Sequence, residues 1–293
     1  MTSRRLPLEA QVSKEVMAYV RIPNKRLFHL VVKLKNKPGA LAGAASILAR
    51  APVNVLGSFT AIPDGGVNGI WSLFAESKNK VATGDSLRKR LLASPYVADA
   101  EVREDKGGFL TDLCFPIMLS EGGRAVLMRQ KYFTQMLDNV RETFGSGGDS
   151  IVYREGFDYG KSTWENVVAT LGRDYVLENL NDVLSIYTSV GWGRTECVEL
   201  ELRQPRIRIR MDANFECVDH QSDRPNSEFV RGHLCGALSA ILDFALECNE
   251  VMCVSKGDRY CEFVVNRVMS RVDNPTVRPP YPGFPKAPAA RRK

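Results

Sequence analysis

Histidine is scarce in this chain, with three in 293 residues. His29, His220 and His233 are far apart in sequence and leave little equipment for acid–base chemistry. No Gly-x-Gly-x-x-Gly follows a strand-like run and no phosphate-binding loop is present, which argues against a nucleotide-dependent enzyme. No Ser/His/Asp or Cys/His pairing stands out by spacing. No stretch approaches the roughly 18–20 consecutive apolar residues of a membrane span, so no membrane partner is expected. Residues 1–7 lack the apolar core of a signal peptide, and a cytoplasmic location is expected. In that compartment the seven cysteines are thiols or metal ligands, and their odd number argues against a complete disulfide framework. No helix-turn-helix or ATPase motif marks an output domain.

Hydrophobic residues make up 44% of the chain and charged residues 25%, the balance of a soluble globular protein long enough for two domains. Net charge is +6. Part of the excess is terminal, in Arg4, Arg5, Arg291, Arg292 and Lys293, and part lies in Arg203, Arg206, Arg208 and Arg210. Arg206, Arg208 and Arg210 alternate with Ile207, Ile209 and Met211, the pattern of a strand with one buried and one basic face. Such a face meets water, phosphate or an acidic partner. Residues 272–293 hold six of the fifteen prolines and end in three basic residues, a composition that predicts a disordered, extended, cationic tail. Residues 1–24 read as an arm or a short helix without assigned function.

Between 25 and 105 the periods spell strand, helix, strand, strand, helix, strand. Phe28, Leu30, Val32 and Leu34 alternate with His29, Val31, Lys33 and Lys35, which predicts a half-buried strand with His29 on its exposed side. Helices follow at 40–50 and 85–94, the second with Asp85 as its N-cap, and strands at 53–62, 70–76 and 97–104. The order implies a ferredoxin-like βαββαβ unit, an antiparallel four-stranded sheet with both helices on one face. Asn36, Lys37, Pro38, Gly39, Ala40 and Leu41 after the first strand, with Asn54 after the first helix, resemble the ACT domain, an amino-acid-sensing module. The resemblance implies a dimer and an amino-acid effector at these residues. Gly39 at a helix start lets a carboxylate approach free backbone N–H groups. Asn36 stands where the family commonly has Asp.

After a linker at 105–108, residues 110–270 predict a mixed α/β domain of helices packed on an antiparallel sheet. A strand is expected at 114–119, a helix at 124–144 closed by Gly145, a short strand-like piece at 150–153, a loop at 155–160, and helices at 163–171 and 173–184. Strands are then expected at 185–190, 197–202 and 207–211, a polar loop at 214–226, a long apolar helix at 229–244 and a final hairpin at 248–268. Gly232 and Gly236 on the long helix let another element approach closely.

The hairpin carries Glu250, Cys253 and Cys261, with Gly257 and Asp258 midway between the thiols. With a three-residue loop, Cys253 and Cys261 face each other across two strands, an arrangement suited to a metal, a disulfide or a pair of buried structural thiols. Simple alternation puts Glu250 on the opposite face from Cys253, so a shared ligand requires a bulge near Val251. Glu-x-x-Cys, seven residues and Cys-x-Phe, preceded by Gly232-x-x-x-Gly236, resemble the 4-vinyl reductase (V4R) domain, a small-molecule-binding module found as the sensor of phenol-responsive activators. The resemblance implies zinc held by Cys, Glu, Cys and Cys. Glu250, Cys253 and Cys261 match three ligands. The place of the first ligand falls on Ser227; Cys217 or His220, in the loop just before, is the candidate substitute, or water fills the fourth position. It also implies an apolar cavity, with Phe133, Tyr153, Phe157, Tyr159, Trp164 and Trp192 as candidate walls. Each of these aromatics also suits an ordinary core.

The two resemblances together predict a small-molecule-sensing regulator, a homodimer acting through a partner. A metal-dependent enzyme of aromatic or pigment metabolism is one alternative. A nucleic-acid-associated regulator using the arginine strand and the tail is the other.

Overall fold

The structure is a computed structural model that describes residues 13–62, 66–77, 82–119, 123–202 and 206–268. The tail at 272–293 and Arg203 lie outside the described residues. The chain divides at Ile117/Met118 into two compact units.

In the first unit, β2 (Leu27–Lys35) is flanked by β4 (Asn68–Ser77) and β5 (Val97–Asp105), and β3 (Val53–Ala61) pairs with β4 to give an antiparallel sheet of order β3-β4-β2-β5. The helices α1 (Ala40–Ala49) and α2 (Gly84–Leu92) supply Ala44, Leu48, Leu87 and Leu91 to the core built on Phe28, Leu30, Val32 and Leu34. This is the βαββαβ order read from the periodicity. Thr83, not Asp85, caps α2: its Oγ1 accepts from the Ser86 backbone N–H at 3.2 Å, and Ser86 reciprocates as a capping box.

The opposite face of the sheet is not solvated at His29. Here β1 (Tyr19–Arg21), inside the segment read as an arm, pairs antiparallel with β6 (Phe109–Thr111). Val20 and Leu110 pack on Leu27 and Phe74. His29 is 1% exposed. The expected linker at 105–108 is a tight turn, closed by Asp105 Oδ2 accepting from the Phe109 N–H at 3.0 Å. This three-residue pairing is invisible in the composition of residues 19–21, because nothing in so short a stretch distinguishes a strand from coil.

Where one unit passes to the next in sequence, β7 (Ile117–Met118) and β8 (Arg124–Ala125) form a two-residue ladder. Then come α3 (Gln130–Phe144), α4 (Ser146–Leu171), α5 (Arg173–Glu178) and α6 (Leu180–Ser189). The sheet of β9 (Arg194–Glu201), β10 (Arg206–Asp212), β11 (Leu246–Met252) and β12 (Cys261–Arg267) is antiparallel in the order β11-β12-β10-β9, and α7 (Glu228–Leu242) precedes its closing hairpin. The helix at 124–144 begins only at Gln130, and the strand expected at 114–119 shrinks to two residues.

Two larger corrections concern helices. The strand-like piece at 150–153 and the loop at 155–160 are the interior of α4, a 26-residue helix. Two of its glycines face α7: a Cβ on Gly156 would lie 2.1 Å from the Phe229 carbonyl oxygen, and one on Gly160 would lie 2.2 Å from that of His233. From the other side, a Cβ on Gly232 or Gly236 would lie 2.1 Å from the carbonyl oxygens of Tyr153 and Phe157. Four glycines thus let two helix backbones touch, and packing gained outweighs the roughly 1 kcal/mol by which each glycine disfavours a helix. The strand expected at 185–190 is the end of α6. Leu180, Val183, Leu184 and Tyr187 are buried at helical spacing, which overrides the strand preference of Ile186, Tyr187, Thr188 and Val190.

Candidate functional site

The core of the second unit contains a cluster built from three segments. Cys217 comes from the turn after β10, Ser227 from the residue before α7, and Glu250, Cys253 and Cys261 from the closing hairpin. The thiols of Cys217, Cys253 and Cys261 are fully buried and all are free. Cys217 Sγ lies 3.5 Å from Cys253 Sγ, and the ligand atoms of the three cysteines and Glu250 all lie within 4.8 Å of one another. The ladder slips between Glu250 and Met252, leaving Val251 as a bulge. That extra residue turns Glu250 and Cys253 toward one centre, as alternation alone would not. The hairpin is not short: residues 253–260 include a 3-10 turn at Val254–Lys256 and Gly257 in the left-handed region at φ 93°. Asp258 Oδ2 accepts from the Cys253 N–H at 2.8 Å and holds that loop in shape.

Ser227 lies inside the cluster. Its Oγ donates to Glu250 Oε1 at 2.7 Å, its backbone N–H donates to Glu250 Oε2 at 3.1 Å, and its Oγ stands 2.9 Å from Cys217 Sγ. Asn214, which no sequence signal had singled out, reaches Ser227 Oγ at 2.7 Å and Cys261 Sγ at 3.4 Å through its Nδ2. His220 stands apart, 37% exposed and 3.8 Å from Asp138. The hydrogen bonds from Cys217 and Cys261 pull the Cys253 thiol below its ordinary range, while those shared with Cys253 and Cys261 push Cys217 up. Burial, then the nearby Cys253 charge, pushes Glu250 up to about 8. One carboxylate and three sulfurs with these separations are a donor set that a tetrahedral cation could use.

A second buried carboxylate was also missed. Glu216 accepts from the backbone N–H groups of Phe229 and Val230, at 3.1 and 2.9 Å, and pairs with Arg141. It thereby satisfies the free N–H groups at the start of α7. Burial pushes it up to about 7, against the opposing pull of Arg141.

A cavity of about 130 Å³ lies between α4, α6 and α7. Tyr159, Thr163, Trp164 and Val167 of α4, Ile186 and Tyr187 of α6, Trp192 of the following turn and His233 of α7 line it. Tyr159, Trp164 and Trp192 are thus brought together. Phe133 instead stacks on Phe215 at 5.6 Å, and Tyr153 and Phe157 stack on each other at 6.4 Å, with Arg231 4.3 Å over Tyr153. His233 had not been expected here. Its Nδ1 is 2.8 Å from the Tyr187 hydroxyl, and the faces and edges of Tyr159, Tyr187 and Trp192 surround its ring. Burial holds its pKa down at about 3, so the imidazole is neutral. The Trp164 ring stacks on that of Tyr187 with centroids 6.1 Å apart. The Tyr187 hydroxyl can donate to or accept from His233 Nδ1, so the pair forms a polar spot in an otherwise aromatic wall.

Among known proteins, a family model matches part of this unit. Residues 207–267 match the V4R domain. The V4R segment runs from the arginine strand β10 through the cluster and α7 to the end of β12. No curated protein matches the chain. Solved structures similar to it include the phenol-responsive sensory domain of the transcription activator PoxR with phenol (16% identity, 52% of this chain and 83% of that one, TM-score 0.43). A vinyl-4-reductase family protein from Methanocaldococcus jannaschii is another (22% identity, 49% and 84%, TM-score 0.37). The ACT domain from GTP pyrophosphokinase of Chlorobium tepidum is a third (16% identity, 27% and 99%, TM-score 0.23).

The remaining sequence candidates have plain surroundings. Arg206 and Arg208 lie 3.4 Å from Glu199, and Arg210 lies 2.8 Å from Glu262, so cross-strand carboxylates already neutralise much of the arginine face. In the first unit, Asn36 donates to the Gly66 carbonyl at 3.0 Å and Lys37 stands 4.9 Å over the Tyr96 ring. Gly39 precedes α1 at φ 83°, a left-handed conformation that suits glycine. Ala40 is buried, while Leu41 and Asn54 are exposed. Among the described residues, no helix is long and apolar enough to cross a membrane.

Proposed function

We propose that the second unit is a small-molecule sensor that takes up a single-ring aromatic compound between α4, α6 and α7. The cavity carries the reading. Its volume of about 130 Å³ is comparable with the roughly 150 Å³ that takes up a benzene-sized guest. Tyr159, Trp164, Tyr187 and Trp192 supply aromatic wall, and the hydrogen-bonded Tyr187–His233 pair supplies a polar group for a ligand oxygen. A ring with a phenolic or carbonyl oxygen fits both features. The V4R match over residues 207–267 supports a ligand-binding role for the unit.

Zinc belongs to the same reading. Cys217, Glu250, Cys253 and Cys261 would hold it, with Cys217 taking the place left by Ser227. The donor atoms lie within 4.8 Å of one another, and a tetrahedral zinc with sulfur at about 2.3 Å sets its ligands roughly 3.8 Å apart. A closed four-ligand site is structural: when bound, the ion would tie the turn after β10, the start of α7 and the hairpin together. Ser227 and Asn214 would then orient the ligands from outside. The first unit contributes effector binding at residues 36–41 and dimerisation, supported by the exposed apolar Val55 and Phe59 of its edge strand β3.

The test is calorimetric titration of the full chain with phenol, catechol and benzoate. One-to-one binding of a phenolic ring, lost in Thr163→Phe, which fills the cavity without touching the cluster, is the expected result. Failure of every single-ring compound to bind the well-folded wild type would refute the proposal.

A further inference from the structure

The first unit holds a second convergence of metal-binding atoms, remote in sequence from the hairpin cluster. His29 Nε2 lies 3.2 Å from Asp112 Oδ1 and 3.0 Å from Ser72 Oγ. The ligand atoms of His29, Asp112 and Cys114 all lie within 4.8 Å of one another. His29 is 1% exposed, while Asp112 and Cys114 are half-buried, so the group is reachable from one side.

The backbone presents these three groups deliberately. His29 belongs to the central strand β2, braced on one side by the Phe74 ring at 4.8 Å. The Asp112 N–H donates to the Ala18 carbonyl at 2.9 Å, which extends the β1–β6 pairing by one residue and pins the segment over the sheet. Asp112 and Cys114 are two residues apart, just past the end of β6. Asp112 Oδ1 also accepts from the Cys114 N–H at 2.8 Å, fixing the carboxylate relative to the thiol. Arg103, opposite His29 on β5, is directed to the Thr111 carbonyl at 3.2 Å.

An Asp–His–Ser relay of the hydrolytic kind is excluded, because both oxygens approach the same nitrogen of His29, and a relay needs one on each. That single nitrogen has one proton or one lone pair to offer two oxygens. An imidazole nitrogen, a carboxylate oxygen and a thiol sulfur meeting at one point match the ligand chemistry of zinc-class divalent cations. From this geometry we infer that His29, Asp112 and Cys114 form a binding site for a zinc-class divalent cation in the first unit. Three protein ligands leave one position of a tetrahedral ion for water or a small anion, beside Ser72.

Residue-resolved alkylation tests it. The full chain, stripped of metal and reduced, is treated with iodoacetamide with and without added Zn2+, and each cysteine peptide is quantified. Zn2+ is expected to slow alkylation of Cys114 by about tenfold or more, because a coordinated thiolate is withdrawn from reaction. Cys197, half-buried and outside either cluster, is the internal control whose rate stays fixed. Asp112→Asn should remove the protection of Cys114 and leave that of the hairpin thiols. An unchanged Cys114 rate in the wild-type chain overturns the site and leaves His29 a buried structural histidine. The peptides of Cys217, Cys253 and Cys261 report the hairpin cluster separately, so failure of either site is distinguishable from failure of the other.

Discussion

Replacing Gly236 by alanine tests whether direct backbone contact between α4 and α7 holds the second unit together. A Cβ at Gly236 would sit 2.1 Å from the Phe157 carbonyl oxygen and 2.8 Å from the Lys161 backbone nitrogen. A comfortable carbon–oxygen contact is about 3.3 Å, so the helices would have to separate by roughly 1 Å. Overpacking costs about 1–3 kcal/mol when side chains can move aside. Here the obstacles are backbone atoms, and the upper end, about 3 kcal/mol, applies. Alanine recovers about 1 kcal/mol of helix propensity. The net expectation is a loss of about 2 kcal/mol, or about 4–8 °C in Tm for a unit of this size. Gly147 is the control. It lies in the first turn of α4, and its added Cβ would find its nearest neighbour at 4.0 Å. Gly147→Ala should therefore be neutral or stabilising by up to about 1 kcal/mol. Urea unfolding followed by far-UV circular dichroism measures both variants. A Gly236→Ala protein as stable as Gly147→Ala would refute the argument that the glycines exist for close approach.

Two further outcomes follow from the site. Cys217→Ser should weaken zinc binding by more than the roughly 10- to 100-fold typical of lost outer-shell partners, measured by competition with a chromophoric chelator, while Ser227→Ala should cost less. The buried His233 gives the pH dependence: its folded pKa of about 3 lies below the ordinary 6.5, so the unfolded chain binds more protons between these values and stability rises with pH. The contribution is complete above pH 6.5 and drains away as pH falls toward 3. At pH 5 it has lost about 1.5 units, or roughly 2 kcal/mol. Glu216, pushed up to about 7, titrates in the same window with the opposite slope. The informative quantity is therefore the wild-type curve minus that of His233→Gln, and a difference independent of pH would contradict a buried neutral imidazole.

Local pattern was enough for much of this protein. Alternation in 27–35 and the apolar spacing of 40–49 and 84–92 carry the βαββαβ order, because each element packs one face on one core. The spacing of Glu250, Cys253 and Cys261 with Gly257 and Asp258 marked the hairpin, and alternation itself required the bulge at Val251. What escaped the sequence were features that depend on a distant partner. Gly156 and Gly160 look like a loop until α7 lies against them. His29 reads as exposed until β1 and β6 cover it, and Asn214 is an ordinary loop residue until the turn after β10 folds onto the hairpin. His233 is an ordinary helix residue until Tyr159, Tyr187 and Trp192 close around its ring. Period and propensity act over a few residues and are written in the chain. Close backbone approach, burial of a polar group and convergence of ligands act across 40 or more positions, as between His29 and Ser72 or Tyr187 and His233. Those only the tertiary structure could decide.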